Sequence, residues 1–363
     1  MQNSILLVDD QKENITNLKG ILDDNYQIYA ALNGESALKV MEKNNIDLVL
    51  LDLVMPVMDG FETITEMKKN PKLSGIPVIF ITAEDDAFNE AKGLALGAMD
   101  YVKKPYDPDI VQIKVKNQIE HKMYRDNLEH LVEERTKEVV ATRDAIIIGM
   151  SLLAEGRDKE TGTHIKKVQH YTEIIAREIT RNYPERLPKS EADKIIALSP
   201  LHDIGKVFVS DTILLKPSRL TDEEFELIKS HTFLGADVLV ETEKLIETST
   251  SFFRYAVEMA GGHHEKYDGS GYPHHLKGED IPLSAGICAI ADIYEALTSE
   301  RPYKKAFTHE EACKIILEGD GRVEPSHFHP CVLEAFKVKK NEINACRIKI
   351  NQEEIEKSTV KLG

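Results

Sequence analysis

The stretch DLVLLDLVMPVMDG, residues 47–60, decides the fold of the amino-terminal part of the chain. It opens with an apolar run that ends in an acid, Asp52, and it continues into a segment punctuated by proline and glycine. Short apolar runs rich in branched side chains are typical of strands buried on both faces. Residues 4–9 (SILLVD) and 77–82 (PVIFIT) repeat the pattern, which predicts further strands of the same sheet.

Residues 12–24 and 34–44, which lie between these runs, repeat apolar positions at helical spacing. Alternating strands and helices predict a doubly wound α/β domain with a parallel sheet. Functional groups in such sheets gather at the carboxyl ends of the strands. We therefore expect a site where the strands end.

Acids occupy those strand ends: Asp9 and Asp10 follow the first strand and Asp52 the third. Three converging carboxylates repel one another unless a hard cation such as Mg²⁺ neutralises them, and Asp52 could then attack a phosphoryl group. Thr82 ends the next strand and Lys104 precedes a proline further on, so a hydroxyl and an ammonium group could hold the transferred oxygens.

This arrangement closely resembles the response-regulator receiver family over residues 1–122. The separations of 30 residues from Asp52 to Thr82 and 22 from Thr82 to Lys104 are those of the family, as is the MPVMDG turn. The resemblance implies that a histidine kinase phosphorylates Asp52 and that Asp9 and Asp10 bind Mg²⁺ with it. It also implies that Thr82 and Lys104 contact the phosphate and that Tyr101 is the aromatic switch residue.

Residues 109–153 contain no proline and one glycine, which predicts one long connecting helix. From residue 150 onward the pattern is almost wholly helical, so the second domain should be all-α. The residues from Gln352 are polar and show no pattern. The predicted organisation is a receiver at 1–122, a helical linker at 123–149, a second domain at 150–345 and a tail at 346–363.

Composition excludes several classes of protein. A net charge of −16 repels polyanions, and no basic stripe or helix-turn-helix candidate indicates DNA binding. No apolar stretch is long enough to span a bilayer, and the start of the chain has no leader pattern. Four widely spaced cysteines without a CxxC pair are typical of a reducing compartment, so we expect a cytoplasmic protein.

Histidines and acids recur through the second half of the chain. Glu160 and His164, four residues apart, would share one face of a helix. LHDIGK (201–206) places His202 and Asp203 at what should be a buried helix end, where an ionisable pair is costly without a partner. Imidazole and carboxylate together suit iron, manganese or zinc.

Further candidates follow along the chain. His231 lies in KSHTFLGADVL, and His263 and His264 open HHEKYDGSGYP. Asp292 stands within the apolar helical stretch GICAIADIYEAL, where an acid needs a charge partner. A bound metal is the partner that this inventory offers.

Over roughly residues 145–340 the sequence closely resembles the HD-GYP family of metal phosphohydrolases, and HHEKYDGSGYP is the most specific motif. The resemblance implies a cluster of two or three metal ions, of iron or else manganese, with Asp203 bridging two of them. The implied ligands are Glu160, His164, His202, Asp203, His231, His263, His264 and Asp292.

The resemblance further implies hydrolysis of cyclic di-GMP to linear pGpG, to GMP or to both. Two metals lower the pKa of water from about 15.7 towards roughly 7, so that hydroxide attacks in line. Lys206 would orient the nucleophile or stabilise charge, and Arg301 and Lys304 would hold phosphate oxygens. Gly271 would permit a tight loop, and Tyr272 would contact the nucleotide.

Two alternatives stay open. Nothing in the ligand set reads the base, so another cyclic dinucleotide, such as a mixed cyclic GMP-AMP, could be the substrate. The second domain could instead be a signalling adaptor that recruits a diguanylate cyclase. A homodimer is expected. His329 stands where the family usually has aspartate, a difference that concerns packing rather than chemistry.

Overall fold

A computed structural model describes residues 2–22, 24–82, 87–156, 162–216, 218–245, 252–300 and 305–360. The chain divides into two compact units, Met1–Glu138 and Val139–Gly363.

The first unit contains a five-stranded sheet. Its strands are β1 (Ser4–Val8), β2 (Gln27–Ala31), β3 (Leu48–Asp52), β4 (Val78–Thr82) and β5 (Asp100–Lys103). They lie in the order β2-β1-β3-β4-β5, and every neighbouring pair is parallel, which confirms the predicted α/β fold. The strand order reverses at β1, so β1 and β3 flank the crevice where ligands of such sheets bind. The helices between them are α1 (Lys12–Leu22), α2 (Gly34–Lys43), α3 (Gly60–Lys69) and α4 (Ala87–Ala95).

The strands β1, β3 and β4 are buried along their whole length, which explains their uninterrupted apolar sequences. Along β3, Val49 and Leu51 pack into one hydrophobic cluster, whereas Leu48 and Leu50 pack into the cluster on the other face. The turn after β3 ends at Asp59, whose side chain accepts a hydrogen bond of 2.7 Å from the backbone N–H of Glu62 and so caps α3.

One helix, α5, runs from Pro108 to Glu155, as the absence of proline in this region predicts. Near its start Val111, Val115 and Ile119 are buried in a hydrophobic cluster of the first unit. The boundary between the two units falls within this helix.

The second unit is all helical in the described residues, which confirms the prediction. Its α-helices are α6 (Gly162–Asn182), α7 (Lys189–Leu198), α8 (Asp211–Leu214), α9 (Asp222–Lys244), α10 (Arg254–Gly262), α11 (Leu283–Thr298), α12 (His309–Glu318) and α13 (Pro330–Val360). A 3-10 helix, Ser199–Phe208, follows α7 directly and carries the LHDIGK motif. The segment from Gln352, which shows no sequence pattern, continues α13 to Val360.

The 3-10 helix touches α9 backbone to backbone at Gly205. A Cβ atom at this position would lie 1.9 Å from the carbonyl oxygen of His231 and 2.6 Å from the backbone nitrogen of Gly235. Only glycine fits this approach. The contact brings His202 and Asp203 next to His231, which lies 29 residues further along the chain.

His329 caps α13. Its Nδ1 accepts a hydrogen bond of 3.2 Å from the backbone N–H of Cys331, and Pro330 occupies the first helical position. The imidazole thus has the capping role that aspartate commonly fills, in agreement with the expectation that this difference concerns packing.

Among the helices in the described ranges, none has the length and apolar character needed to cross a membrane.

We predict that Gly205→Ala lowers the free energy of unfolding by about 1–3 kcal/mol, because the added methyl forces two backbones apart. Urea-induced unfolding of the full chain measures this. Gly149→Ala is the matched control, since open space surrounds its Cβ position, and it should raise stability by about 0.5–1 kcal/mol. Equal effects of the two substitutions would contradict the close approach at Gly205.

Candidate functional site

The carboxyl edge of the receiver sheet brings the predicted acids together. Asp9 and Asp52 are buried and Asp10 is exposed, and ligand atoms of all three lie within 4.8 Å of one another. Lys104 Nζ lies 2.8 Å from Asp9 Oδ2 and 2.8 Å from Asp52 Oδ2. Thr82, buried at the end of β4, shares this edge of the sheet.

Burial raises the pKa of Asp52, and the neighbouring Asp9 adds to the rise while Lys104 opposes it. Burial would lower the pKa of Lys104, but its hydrogen bonds to the two carboxylates outweigh burial and raise it. The edge therefore favours positive charge, and the three acids offer the oxygen ligands that Mg²⁺ prefers. Tyr101 lies half-buried on β5, with Lys114 Nζ 4.8 Å from its ring centroid.

In the second unit, three histidine rings are oriented by the backbone of their own helices. The Nδ1 atoms of His202, His231 and His263 lie 2.9, 2.6 and 2.8 Å from carbonyl oxygens three or four residues earlier in the chain. A carbonyl oxygen can only accept, so each Nδ1 carries the proton. In the neutral ring Nε2 then bears a lone pair, which is the form that ligates metals.

These Nε2 atoms converge on Asp203. Asp203 Oδ1 lies 3.2 Å from His231 Nε2 and 3.6 Å from His263 Nε2, and Oδ2 lies 3.3 Å from His202 Nε2. Within the described part of the chain, the three Nε2 atoms and Oδ1 are buried without a hydrogen-bond partner. Lone pairs that face one another at these distances repel unless a cation lies between them. The donor set therefore fits a divalent metal.

A second group of donors lies beside the first. His164 Nδ1 lies 2.7 Å from Glu295 Oε2, and His164 Nε2 lies 3.8 Å from both Glu155 Oε1 and Asp292 Oδ1. Ligand atoms of four buried residues lie within 4.8 Å of one another in this group, and those of three histidines do so in the other. The group around His164 is Glu155, His164, His202 and Asp203; the other is His231, His263 and His264.

The charges of the two groups differ. Burial would lower the pKa of His164, but the hydrogen bond and charge of Glu295 outweigh it and raise that pKa to about 10. Asp203 likewise overcomes burial and raises the pKa of His202 to about 9, so the carboxylate stabilises a cation at His202 Nε2, either a proton or a metal ion. Burial lowers the pKa of His263 well below its usual value and, with His231, lowers that of His264 to about 3. The acid-rich group attracts positive charge, whereas the lowered pKa values keep His263 and His264 neutral and free to ligate.

Beside the histidine trio lies a loop that carries the half-buried Tyr272. The Tyr272 ring lies 4.8 Å from that of His264 and 6.4 Å from that of Phe225, measured between centroids. Lys229 Nζ lies 5.2 Å from the Tyr272 centroid. A Cβ at Gly271 would lie 2.3 Å from the backbone nitrogen of Lys266, so the tight loop requires glycine here.

Lys206 lies at the edge of this centre, with Nζ 2.9 Å from Asp203 Oδ2. The structure thus gathers His164, His202, Asp203, His231, His263, His264 and Asp292, with Lys206 and Tyr272 beside them. Glu160, Arg301 and Lys304 lie outside the described residues. The described part of α6, which carries His164, runs from Gly162, and the pairing of Glu160 with His164 stays a prediction.

Sequence reasoning missed two acids. Glu155 ends α5, and Glu295 lies one turn after Asp292 in α11. Both follow apolar residues, the signal that singled out Asp292. Glu295 accepts from the Nδ1 of His164 and has its pKa lowered to about 2, because His164 outweighs the effect of burial. It therefore orients the ring, as carboxylates commonly do for metal-binding histidines.

Comparisons with known proteins agree with this division. Residues 5–116 match the response regulator receiver domain, and residues 148–326 match the HD domain. A probable cyclic di-GMP phosphodiesterase of Vibrio cholerae is 42% identical, over 100% of this chain and 83% of the relative. A cyclic di-GMP phosphodiesterase of Thermotoga maritima is 35% identical, over 88% of this chain and 85% of the relative. The cyclic di-GMP phosphodiesterase response regulator RpfG of Xanthomonas campestris is 30% identical, over 92% of this chain and 86% of the relative.

We predict that Glu295→Gln weakens Mn²⁺ binding by about 10- to 100-fold, because the neutral amide no longer fixes the His164 ring or supports its basicity. Titration of the full chain with Mn²⁺, with free ion followed by electron paramagnetic resonance, measures the change. Glu318→Gln removes an exposed carboxylate of α12 and should leave binding unaltered. Unaltered binding in Glu295→Gln would show that the hydrogen bond to His164 does not serve metal binding.

Proposed function

The chain belongs to the family of response regulators that join a receiver domain to an HD-GYP phosphodiesterase domain, and on that premise we propose that it hydrolyses cyclic di-GMP at a divalent-metal centre. One observation carries the proposal. Three buried histidines with their Nδ1 atoms engaged direct their Nε2 atoms at one carboxylate, Asp203.

The residues divide the work of holding the ions. Asp203 would contact two cations, since its Oδ1 faces His231 and His263 while its Oδ2 faces His202. When bound, the cations would supply Lewis acidity and lower the pKa of water from about 15.7 towards roughly 7. Nitrogen and oxygen donors suit iron and manganese, which we propose as the ions, two or three in number.

Other residues would position the substrate. Lys206 Nζ, 2.9 Å from Asp203, brings positive charge next to the place of the scissile phosphate. Tyr272 presents a ring on which a guanine could stack, and Phe225 and Lys229 extend this surface. We propose that Arg301 and Lys304 hold phosphate oxygens and that the products are pGpG and GMP.

For the receiver we propose that a histidine kinase phosphorylates Asp52 while Asp9, Asp10 and Asp52 bind Mg²⁺. Lys104, which already lies 2.8 Å from Asp9 and Asp52, would then contact the phosphoryl oxygens. Thr82 would also contact the phosphoryl group, and Tyr101 would act as the aromatic switch residue. Three further points stay predictions. They are a homodimer, the binding of diguanylate cyclases, and the domain limits at 1–122, 123–149, 150–345 and 346–363.

The metal-dependent reaction is tested with the full chain purified without oxygen and loaded with Fe²⁺ or Mn²⁺. We expect the parent to convert cyclic di-GMP to pGpG or GMP, resolved by chromatography, and the double variant His202→Ala, Asp203→Ala to lose all measurable turnover. Removal of the metal by a chelator should have the same effect. His170→Ala, which alters a half-exposed histidine, is the control and should retain parental rates.

A competing mixed cyclic GMP-AMP distinguishes the two substrates. If the mixed dinucleotide is hydrolysed faster than cyclic di-GMP, the mixed dinucleotide is the preferred substrate. A parent that binds metal and hydrolyses neither compound would favour the adaptor function instead.

We predict that phosphorylation at Asp52 changes the rate of hydrolysis, because receivers act through charge changes that shift a two-state element. Turnover of the parent with and without a small-molecule phosphodonor measures the effect. Asp52→Ala should show one rate under both conditions, and Asp24→Asn, an exposed acid in the same unit, should respond as the parent does. If the parent becomes phosphorylated but its rate of hydrolysis is the same with and without the phosphodonor, the coupling is refuted.

A further inference from the structure

We propose that Glu155, the last residue of α5, is a metal ligand of this centre beside His164, His202 and Asp203. The inference rests on the proposed metal-dependent function and extends its ligand set to an acid that sequence reasoning did not single out. It is carried by the burial, the lack of hydrogen bonds and the neighbours of this side chain.

Burial is nearly complete, because Glu155 exposes only 1% of its surface. In the described part of the chain, neither Oε1 nor Oε2 has a hydrogen-bond partner. A buried carboxyl group without a partner is costly, and native proteins rarely tolerate it unless a ligand satisfies the group. Both oxygens of Glu155 thus require an acceptor of electron pairs.

The position at the end of α5 adds to this cost. The carboxyl end of a helix carries a partial negative charge, which disfavours an acid there. The last turn of α5 contains no basic residue that could offset the charge. A cation beside Glu155 would relieve both the helix end and the carboxylate.

The neighbours of Glu155 are metal-ligating groups. Its Oε1 lies 3.8 Å from Nε2 of His164, which is too long for a hydrogen bond. The separation is close to that of two atoms that ligate one cation, roughly 3.0–3.5 Å for ligand bonds of about 2.1 Å. Ligand atoms of His202 and Asp203 complete a group within 4.8 Å.

This assignment gives the His164 side of the centre a carboxylate ligand that belongs to the end of α5. Glu160, which the spacing to His164 singled out, then becomes an additional ligand rather than a required one. The two acids are distinguishable, because each can be neutralised by itself.

The experiment compares Mn²⁺ binding and thermal unfolding of the full chain in the parent, Glu155→Gln, Glu155→Leu and Glu160→Gln. Glu129→Gln, an exposed acid of the same helix, is the matched control. We expect Glu155→Gln and Glu155→Leu to raise the Mn²⁺ dissociation constant at least about tenfold and to lower the number of ions bound at limiting Mn²⁺. The control should bind as the parent does.

Unfolding in the presence of a chelator separates ligation from a structural role. A buried ligand carboxylate destabilises the fold when its metal is absent, so Glu155→Leu should unfold at the parental temperature or above it in the presence of chelator. Added Mn²⁺ should raise the unfolding temperature of Glu155→Leu less than that of the parent. A structural acid would give the reverse, namely a lower unfolding temperature under chelator and undiminished Mn²⁺ affinity. That result would overturn the assignment.

A parent that binds Mn²⁺ and hydrolyses substrate, beside Glu155 variants with parental affinity, would refute the role of Glu155 and leave the proposed function intact. A parent that binds no metal would refute the proposed function itself. If the variants do not fold, anomalous diffraction from the Mn²⁺-loaded parent decides. An ion within roughly 2.0–2.6 Å of a Glu155 oxygen supports the assignment, and ions only at greater distances refute it.

Discussion

The hydrogen bond from a histidine Nδ1 to a backbone carbonyl of its own helix is the interaction on which the centre of the second unit depends. It recurs at His202, His231 and His263, and each time it turns Nε2 towards Asp203. Without it the rings could rotate, and the preferred tautomer would be undefined. The bonds draw on carbonyls three or four residues earlier, so the local helical backbone supplies the orientation. Tertiary packing then only has to bring the helices together, which the contact at Gly205 does.

Local pattern was sufficient to predict the strands, the long helix and the all-α second unit, whereas the set of candidate donors was implied by the family resemblance. Asp292 stood out because an acid in an apolar helical stretch needs a partner, whereas His263 and His264 stood out because they open the motif HHEKYDGSGYP. Glu155 and Glu295 also follow apolar residues, but their importance arises only where α5 and α11 bring them next to His164 of α6. Glu160 lies outside the described residues, so its pairing with His164 stays a prediction.

Both units gather buried carboxylates, but they balance the charge differently. In the receiver Lys104 reaches Asp9 and Asp52 at 2.8 Å, so an amino-acid side chain supplies part of the positive charge. In the second unit Lys206 Nζ forms an ion pair with Oδ2 of Asp203, whereas Oδ1 of Asp203 faces the Nε2 atoms of His231 and His263. Reversible phosphorylation suits the first arrangement, since a mobile ammonium group can follow the phosphate. Persistent metal ligation suits the second, since the rings cannot move aside.

Helices carry most of the candidate donors, namely His164, His202, Asp203, His231 and Asp292, whereas His263, His264, Gly271 and Tyr272 lie in the segment between α10 and α11. Helix-borne donors are coupled to the hydrophobic core, so substitutions around them are penalised through folding. Tyr272 lies outside the hydrophobic core cluster and can change while the helix-borne donors stay intact, whereas Gly271 must remain glycine for the loop to keep its shape. The architecture separates what must be inherited unchanged from what selection is free to vary. Proteins with this fold can therefore diverge in the nucleotide they recognise without reinventing the chemistry that cleaves it.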